Sequence, residues 1–367
     1  MKIKIAKTIE FIIKFGASLI LILLFGIVGK YLIFAKTTNE TKDDKEYKEK
    51  FVKDYKIYAV PLPKEISFAG EKVPIEYYDV FESLDKEFLV TTYWQSRALL
   101  FIKRAHKFFP IIEKILRDNE VPEDFKYLAL AESGLTNVTS PAGANGYWQF
   151  LEPTAKKYGL RINQYVDERL NIEKSTEAAC KYLKDAYNMF GSWTMAAASY
   201  NVGMGNLKKI TENQGQTSYY DLQLNKETAR YVYRILAIKY ILENPQKFGF
   251  HFRKKDLYSF PKYKVVHIDS SISDLSDFAN KMGTNLKLLK DLNPWLISNK
   301  LMVADSLGYD IKIPLSRVRD FADNDLEQQQ KNNVDTLLRG QSFYDNDTSK
   351  IFVKDKNNVE SDSVIAN

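Results

Sequence analysis

VPEDFKYLALAESGLTNVTSPAGANGYWQF, residues 121–150, joins a short apolar helix to a glycine-rich loop and an aromatic run. Pro122 suits the first position of a helix, and Glu123 and Asp124 suit its electropositive first turn. Phe125, Leu128 and Ala129 then recur at helical spacing, and the next residue on that face is Glu132, where a hydrophobe is expected. Burial disfavours the charged form of a carboxylate. A glutamic acid in such a place keeps its proton closer to neutrality and can act as a general acid. Gly134 ends the helix and leaves Glu132 in its last turn, beside the loop that comes next.

That loop, Ser140-Pro141-Ala142-Gly143-Ala144-Asn145-Gly146, is small and glycine-rich, so its backbone can come close to another object. Tyr147, Trp148 and Gln149 follow. Two aromatic rings and an amide suit a sugar, which offers apolar C–H faces and hydroxyls together. Each piece also has a plain structural reading: the loop as a turn, Trp148 as core, Glu132 as a hydrogen-bonded carboxylate.

On either side of this stretch the period is helical, from about Ser83 to Glu243. Ala98, Phe101, Ile102 and Ala105 share one face, as do Ile111, Ile112, Ile115 and Leu116. Ser175 and Thr176 are expected to cap a helix that buries Ala179, Tyr182, Leu183, Ala186 and Phe190 and closes at Gly191; Ser192 is placed to cap the next. Ala196-Ala197-Ala198-Ser199-Tyr200-Asn201 gives a face of small residues that another helix can approach. A last long helix buries Ala229, Val232, Leu236, Tyr240 and Ile241 and stops at Asn244-Pro245.

Composition narrows the chemistry. The 367 residues are 45% hydrophobic and 13% aromatic, enough for a sizeable core. The net charge of +6 is spread along the chain and is equally consistent with a polyanionic neighbour and with ordinary solvated lysines. Cys180 stands alone inside an apolar helical pattern and reads as core, with no intrachain disulfide. His106, His251 and His267 lack ligand spacing, so neither a metal nor a cofactor is expected. Gly203 and Gly205 lack the third glycine of a dinucleotide fingerprint and no strand precedes them, which argues against nucleotide, and no nucleic-acid partner is expected.

Phe15 to Ala35 is nearly all apolar, about 20 residues, and long enough to cross a bilayer as a helix. Lys2, Lys4, Lys7 and Lys14 precede it, which predicts a cytoplasmic N-terminus and export of the downstream chain. A cleaved signal peptide is the competing reading; no small-x-small site stands before Lys36. Lys36 to Lys53 is a charged tether, and Tyr58 to Val80, with Pro61, Pro63 and Pro74, is expected to be extended. At the other end, after a basic and aromatic connector from Phe250 to Lys262, Val265 to Ile268 and Tyr309 to Ile313 read as strands around two short helices. Beyond Arg317 the chain is polar and is expected to be disordered.

Taken together, these segments resemble the soluble lytic transglycosylase domain, a lysozyme-like α fold, and in particular the membrane-bound murein transglycosylase D type. Glu132-Ser133 resembles its catalytic motif, Gly146-Tyr147-Trp148-Gln149 its Gly-Leu-Trp/Met-Gln motif, Ala198 to Gly203 its Ala-Tyr-Asn-x-Gly motif, and Glu227-Thr228-Ala229-Arg230-Tyr231-Val232 a fourth, Glu-Thr-x-x-Tyr-Val. The sequence departs from the pattern in having Tyr147 for Leu, Ser199 for Ala, and one residue fewer between Glu132 and Ser140 than the common spacing. The resemblance implies that Glu132 is the catalytic acid and then base in cleaving peptidoglycan glycan strands. The C6 hydroxyl of the muramyl sugar would be the nucleophile, giving 1,6-anhydromuramyl ends. It further implies that Ser140, Gln149 and Tyr200 hold the N-acetyl group and surround the acid, with Asn201 and Glu227 lining the same cleft. Leu288 to Pro294 and Ile311-Lys312-Ile313-Pro314 resemble a LysM module, although its usual Gly-Asp-Thr-Leu opening is replaced by Ser271-Ile272-Ser273-Asp274-Leu275.

The expected protein is therefore mainly α: a membrane anchor or signal in residues 1–35, a tether and extended segment in 36–82, a lysozyme-like lytic transglycosylase domain in 83–250, a β-α-α-β LysM-like module in 263–315, and a disordered tail in 316–367. Its expected partners are peptidoglycan strands and, through the anchor, the inner membrane, with the enzyme on the extracytoplasmic side. A hydrolytic muramidase on the same fold and a silent wall-binding scaffold are the alternatives.

Overall fold

The computed structural model describes residues 45–46, 58–304 and 306–315. The apolar run at Phe15 to Ala35 and the polar tail beyond Arg317 lie outside the described residues. Among those that are described, no helix is long and apolar enough to cross a membrane. The chain divides into two units at Ala59 and Val60.

The second unit is mainly helical, with two small sheets. A hairpin of β1 (Ser67–Phe68) and β2 (Glu71–Lys72) precedes α1 (Tyr78–Tyr93) and α2 (Gln95–Asp118). The segment expected to be extended up to Val80 thus holds this hairpin and the start of α1. Next come α3 (Phe125–Ser133), α4 (Glu152–Lys157), α5 (Ile172–Phe190), α6 (Trp193–Val202), α7 (Met204–Gln214) and α8 (Thr228–Glu243). The alanine-rich α6 lies at the centre, with Met195 to Ser199 all buried. Small side chains there let α5 and α8 pack against it.

Two helix starts differ from the sequence reading. The capping residue of α5 is Asn171, whose Oδ1 accepts the Lys174 N–H at 3.0 Å, rather than Ser175 or Thr176. Those two hydroxyls lie inside the helix and donate to the carbonyls of Asn171 and Ile172, each at 2.6 Å, which satisfies them without ending the helix. Helix α3 begins at Phe125, past Pro122, after a tighter turn in which the N–H groups of Phe125, Lys126 and Tyr127 each reach back three residues, and the carboxylate of Asp124 serves the hairpin in place of capping the helix. It accepts the Ala69 N–H at 2.7 Å and Lys239 Nζ at 2.6 Å. Glu71 on the same hairpin caps α6, accepting the Trp193 and Thr194 N–H groups at 2.6 and 2.9 Å. The hairpin is therefore a clamp on the helices that carry the site.

A buried ion pair, Glu113 to Lys126 at 2.6 Å, ties α2 to α3. Lysine amine and carboxylate compensate each other's lost hydration there, so neither can be removed alone without cost.

The C-terminal part pairs β3 (Tyr263–Ile268) antiparallel with β4 (Tyr309–Pro314) over α9 (Leu275–Lys281) and α10 (Leu286–Leu292). It has its own hydrophobic core, into which the helical part inserts Val166. A bridge between Val166 and Leu296 and the bond from Asp167 N to the Trp295 carbonyl at 3.0 Å make that join continuous backbone pairing. Arg161 adds to it, donating to the Gly308 carbonyl at 3.0 Å and lying over the Tyr309 ring at 3.7 Å.

Candidate active site

Glu132 sits in the last turn of α3, half-buried, where the stripe of Phe125, Leu128 and Ala129 delivers it. Gly134 at φ 61° ends the helix. Ser133 then fastens that end to the loop beyond: its hydroxyl donates to the Tyr147 carbonyl at 2.8 Å and accepts from Leu135 N at 3.0 Å. The Glu132 carboxyl is pushed up to about 7 by burial, which outweighs a hydrogen bond from Tyr231 and the charge of Arg234, both favouring the anion; the charge of Glu227 adds a smaller upward push. A carboxyl with that value exists in both forms near neutrality, as a group that must give and later take a proton requires.

Tyr231 on α8 donates its hydroxyl to Oε1 of Glu132, in a short hydrogen bond. The ring is buried, and the phenol is held in its protonated form by burial and by the neighbouring carboxylate. Tyr200, on α6, senses the charge of the same carboxyl and donates to the Trp148 carbonyl at 2.7 Å. Its ring also packs against Phe150 and Tyr182. Asn201 accepts from Thr228 at 2.8 Å, joining the end of α6 to the start of α8. Glu227 is exposed at the N-terminus of α8.

The loop after α3 is folded by its own bonds. Ser140 Oγ accepts the Ala144 N–H at 3.0 Å, and Gln149 Nε2 donates to the carbonyls of Val138 and Gly146, both at 2.8 Å. Gln149 has φ 50°, a backbone region that disfavours side chains and is tolerated where the surroundings enforce it. Gly146 is enforced by contact: a Cβ there would lie 2.0 Å from the Arg169 carbonyl oxygen. Buried Arg169 holds the loop by donating to the Gly143 and Phe150 carbonyls at 3.1 and 3.2 Å. Asp167 pairs with Arg169 at 2.7 Å and accepts from Asn145 at 3.0 Å.

The structure thus brings Glu132, Tyr200 and Glu227 into one electrostatic neighbourhood and ties Asn201 to the same helix ends. It places Ser140 and Gln149 in the loop with their side chains engaged in holding it. Tyr147 and Trp148 do not present their rings to the surface. Trp148 is fully buried and its indole N–H goes to Thr176 at 2.9 Å; Tyr147 is 6% exposed. The sugar-platform reading of those two rings is replaced by a packing one, in which Trp148 contributes the carbonyl that seats Tyr200. Tyr231 and Arg234 are the residues that sequence reasoning passed over as site residues. Tyr231 lies four residues after Glu227, and Arg234 three further on, so one face of α8 carries all three.

Among the described residues no group of His, Cys, Asp and Glu is placed to hold a metal ion. Cys180 is buried, and burial pushes its thiol up to about 12.

Residues 109–223 match the family described as the Transglycosylase SLT domain, and residues 264–317 match the Soluble lytic transglycosylase C-terminal LysM-like domain. Over 196 residues the chain is 30% identical to Membrane-bound lytic murein transglycosylase D of Escherichia coli (strain K12), a match covering 52% of this chain and 43% of that protein. It is 33% identical over 90 residues to Membrane-bound lytic murein transglycosylase F of Shewanella loihica (strain ATCC BAA-1088 / PV-4), covering 22% of this chain and 17% of that one. The chain spans less than half the length of either relative. It carries an SLT domain followed by a LysM-like domain.

Proposed function

We propose that this chain, with its SLT and LysM-like domains, is a peptidoglycan lytic transglycosylase that cleaves the bond between N-acetylmuramic acid and N-acetylglucosamine to leave 1,6-anhydromuramyl ends. The observation that carries the reading is a single carboxyl, Glu132, pushed up to about 7 and held by the Tyr231 hydroxyl beside a braced loop. Both names given to the membrane-bound relatives support it.

In this mechanism Glu132 protonates the glycosidic oxygen as the bond to the muramyl carbon breaks. Its carboxylate, stabilised by Tyr231 and by the positive charge of Arg234, then takes the proton of the muramyl C6 hydroxyl as that oxygen closes on the same carbon. The proton count balances and no water enters. A two-carboxylate glycosidase needs a second carboxylate, as base or nucleophile, on the opposite face of the sugar; here the substrate supplies the nucleophile. Tyr200 borders the acid, Asn201 and Glu227 frame the cleft at the ends of α6 and α8, and Ser140 and Gln149 shape the loop that receives the N-acetyl group.

The proposed layout keeps an N-terminal anchor in residues 1–35, a tether and extended segment in 36–82, the catalytic domain in 83–250, a glycan-binding LysM-like module in 263–315 and a tail in 316–367. The apolar run supports an inner-membrane anchor with the enzyme facing the extracytoplasmic space, in keeping with the names of its relatives. Release of soluble fragments from purified murein sacs by the full chain, and no release by Glu132→Gln with an unchanged circular dichroism spectrum, is the expected result. Full release by the variant would remove Glu132 from the mechanism.

A further inference from the structure

Helices α1, α2 and α8 enclose a cavity of about 240 Å³ on the Arg234 side of Glu132. Trp94, 54% exposed at the corner between α1 and α2, stands at its mouth, and Phe101 and Ile238 line it deeper in. Three arginines, Arg97, Arg230 and Arg234, also line it. Arg230 is neutralised by buried Glu87, 2.6 Å away. Arg97 and Arg234 have no carboxylate within ion-pair distance among the described residues. The Arg97 guanidinium lies instead over the rings of Trp94 and Phe101, at 4.7 and 4.9 Å. Burial first, and then the like charge of Arg234, disfavour its charged form. Glu87, which also lines the cavity, offsets part of the Arg97 charge from beyond contact distance, and Glu132 is the carboxyl nearest in effect to Arg234. Three guanidinium groups against one lining carboxylate leave the cavity net positive, with the Arg97 and Arg234 forks open to an anion.

The cavity adjoins the acid. Arg234 stands three residues beyond Tyr231 on α8, and its charge reaches Glu132. Phe101 packs under the Gly134 turn that ends α3, 3.1 Å from where a Cβ would lie. A ligand here would therefore be attached to, or next to, the sugar on which Glu132 acts.

We propose that this cavity takes the free carboxylate of the short peptide carried by the muramyl sugar, an inference that rests on the transglycosylase reading above. The planar guanidinium forks match a carboxylate bidentately. The apolar walls of Val90, Phe101 and Ile238 suit small aliphatic side chains, and exposed Trp94 offers a face for a peptide backbone to cover. A phosphate of an anionic wall polymer would meet the arginines but leave those walls bare. The pocket would thus make the enzyme select strands that still bear peptides.

The test is calorimetric titration of the full chain with three probes: a soluble lactyl-peptide with a free C-terminal carboxylate, the same peptide as its amide, and inorganic phosphate. The acid peptide is expected to bind at least tenfold more tightly than the amide, and phosphate at the same concentration is expected not to displace it. Arg97→Gln should reduce acid-peptide affinity to that of the amide, and Trp94→Phe should remove the tryptophan fluorescence change on binding. Equal binding of acid and amide, no binding, displacement by phosphate, or an unaffected Arg97→Gln would each overturn the proposal, the first three without any variant. Murein cleavage without peptide binding defeats this proposal alone. Peptide binding without cleavage defeats the transglycosylase reading and keeps the pocket.

Discussion

The Tyr231 hydroxyl donates to Oε1 of Glu132 across 99 residues of sequence, so the group that would move the proton and the group that steadies its anion lie on different helices, α3 and α8. Catalytic competence in this account depends on how α8 is set against α3.

Tyr231→Phe tests that dependence. The lost hydrogen bond favoured the anion, so the Glu132 value should rise above about 7 and the high-pH limb of the kcat profile should move upward. A hydrogen bond to a charged group contributes about 1.5–3 kcal/mol, so kcat at neutral pH should fall roughly ten- to a hundredfold. A profile that stays in place would contradict the assignment.

Glu132→Gln should stabilise the protein at high pH and not at low pH. Between 4.5 and about 7 the folded state keeps a proton that the unfolded chain has released, so wild-type stability falls as pH rises through that window. Above it the deficit is complete, and the variant escapes on the order of 1–3 kcal/mol of it. Urea denaturation at pH 4 and pH 8 measures the difference; parallel stabilities at both would contradict the raised value.

Gly146→Ala should unfold or badly destabilise the loop. The new Cβ meets the Arg169 carbonyl at 2.0 Å on a backbone at φ 80°. A loss of at least about 2 kcal/mol is expected in denaturant titration.

Asp167 connects the LysM-like module to the loop beside the acid. Its N–H goes to Trp295 and its carboxylate to Arg169 and Asn145. Asp167→Ala leaves the Arg169 charge buried and unpaired, a change that costs about 3–5 kcal/mol. Hydrogen exchange should accelerate through residues 140–150 and KM for murein should rise. Exchange confined to the module would contradict the coupling.

Much of this was legible in the sequence because it depends on local rules. Glu132 on an apolar stripe, the Gly134 and Gly191 helix ends, the Ser192 cap and the β-α-α-β order of the C-terminal part all rest on residues within a few positions of one another. What escaped depends on distant partners. Asp124 left its helix for Ala69 and Lys239, Glu71 capped a helix 121 residues away, and Val166 filled the core of another module. Trp148 looked like a sugar platform because a tryptophan beside a glycine loop carries no mark of the Thr176 hydroxyl that takes its indole N–H. Ser175 and Thr176 looked like caps because the same hydroxyl that ends one helix can bond back inside another.

Glu132 works without water in this mechanism, and the masses of the products decide whether it does. Fragments released from murein sacs by the full chain should each be lighter by one water than a hydrolysed fragment and should lack a reducing muramyl end. Fragments of the hydrated mass, with reducing ends, would show that water is the nucleophile and would contradict the transglycosylase account.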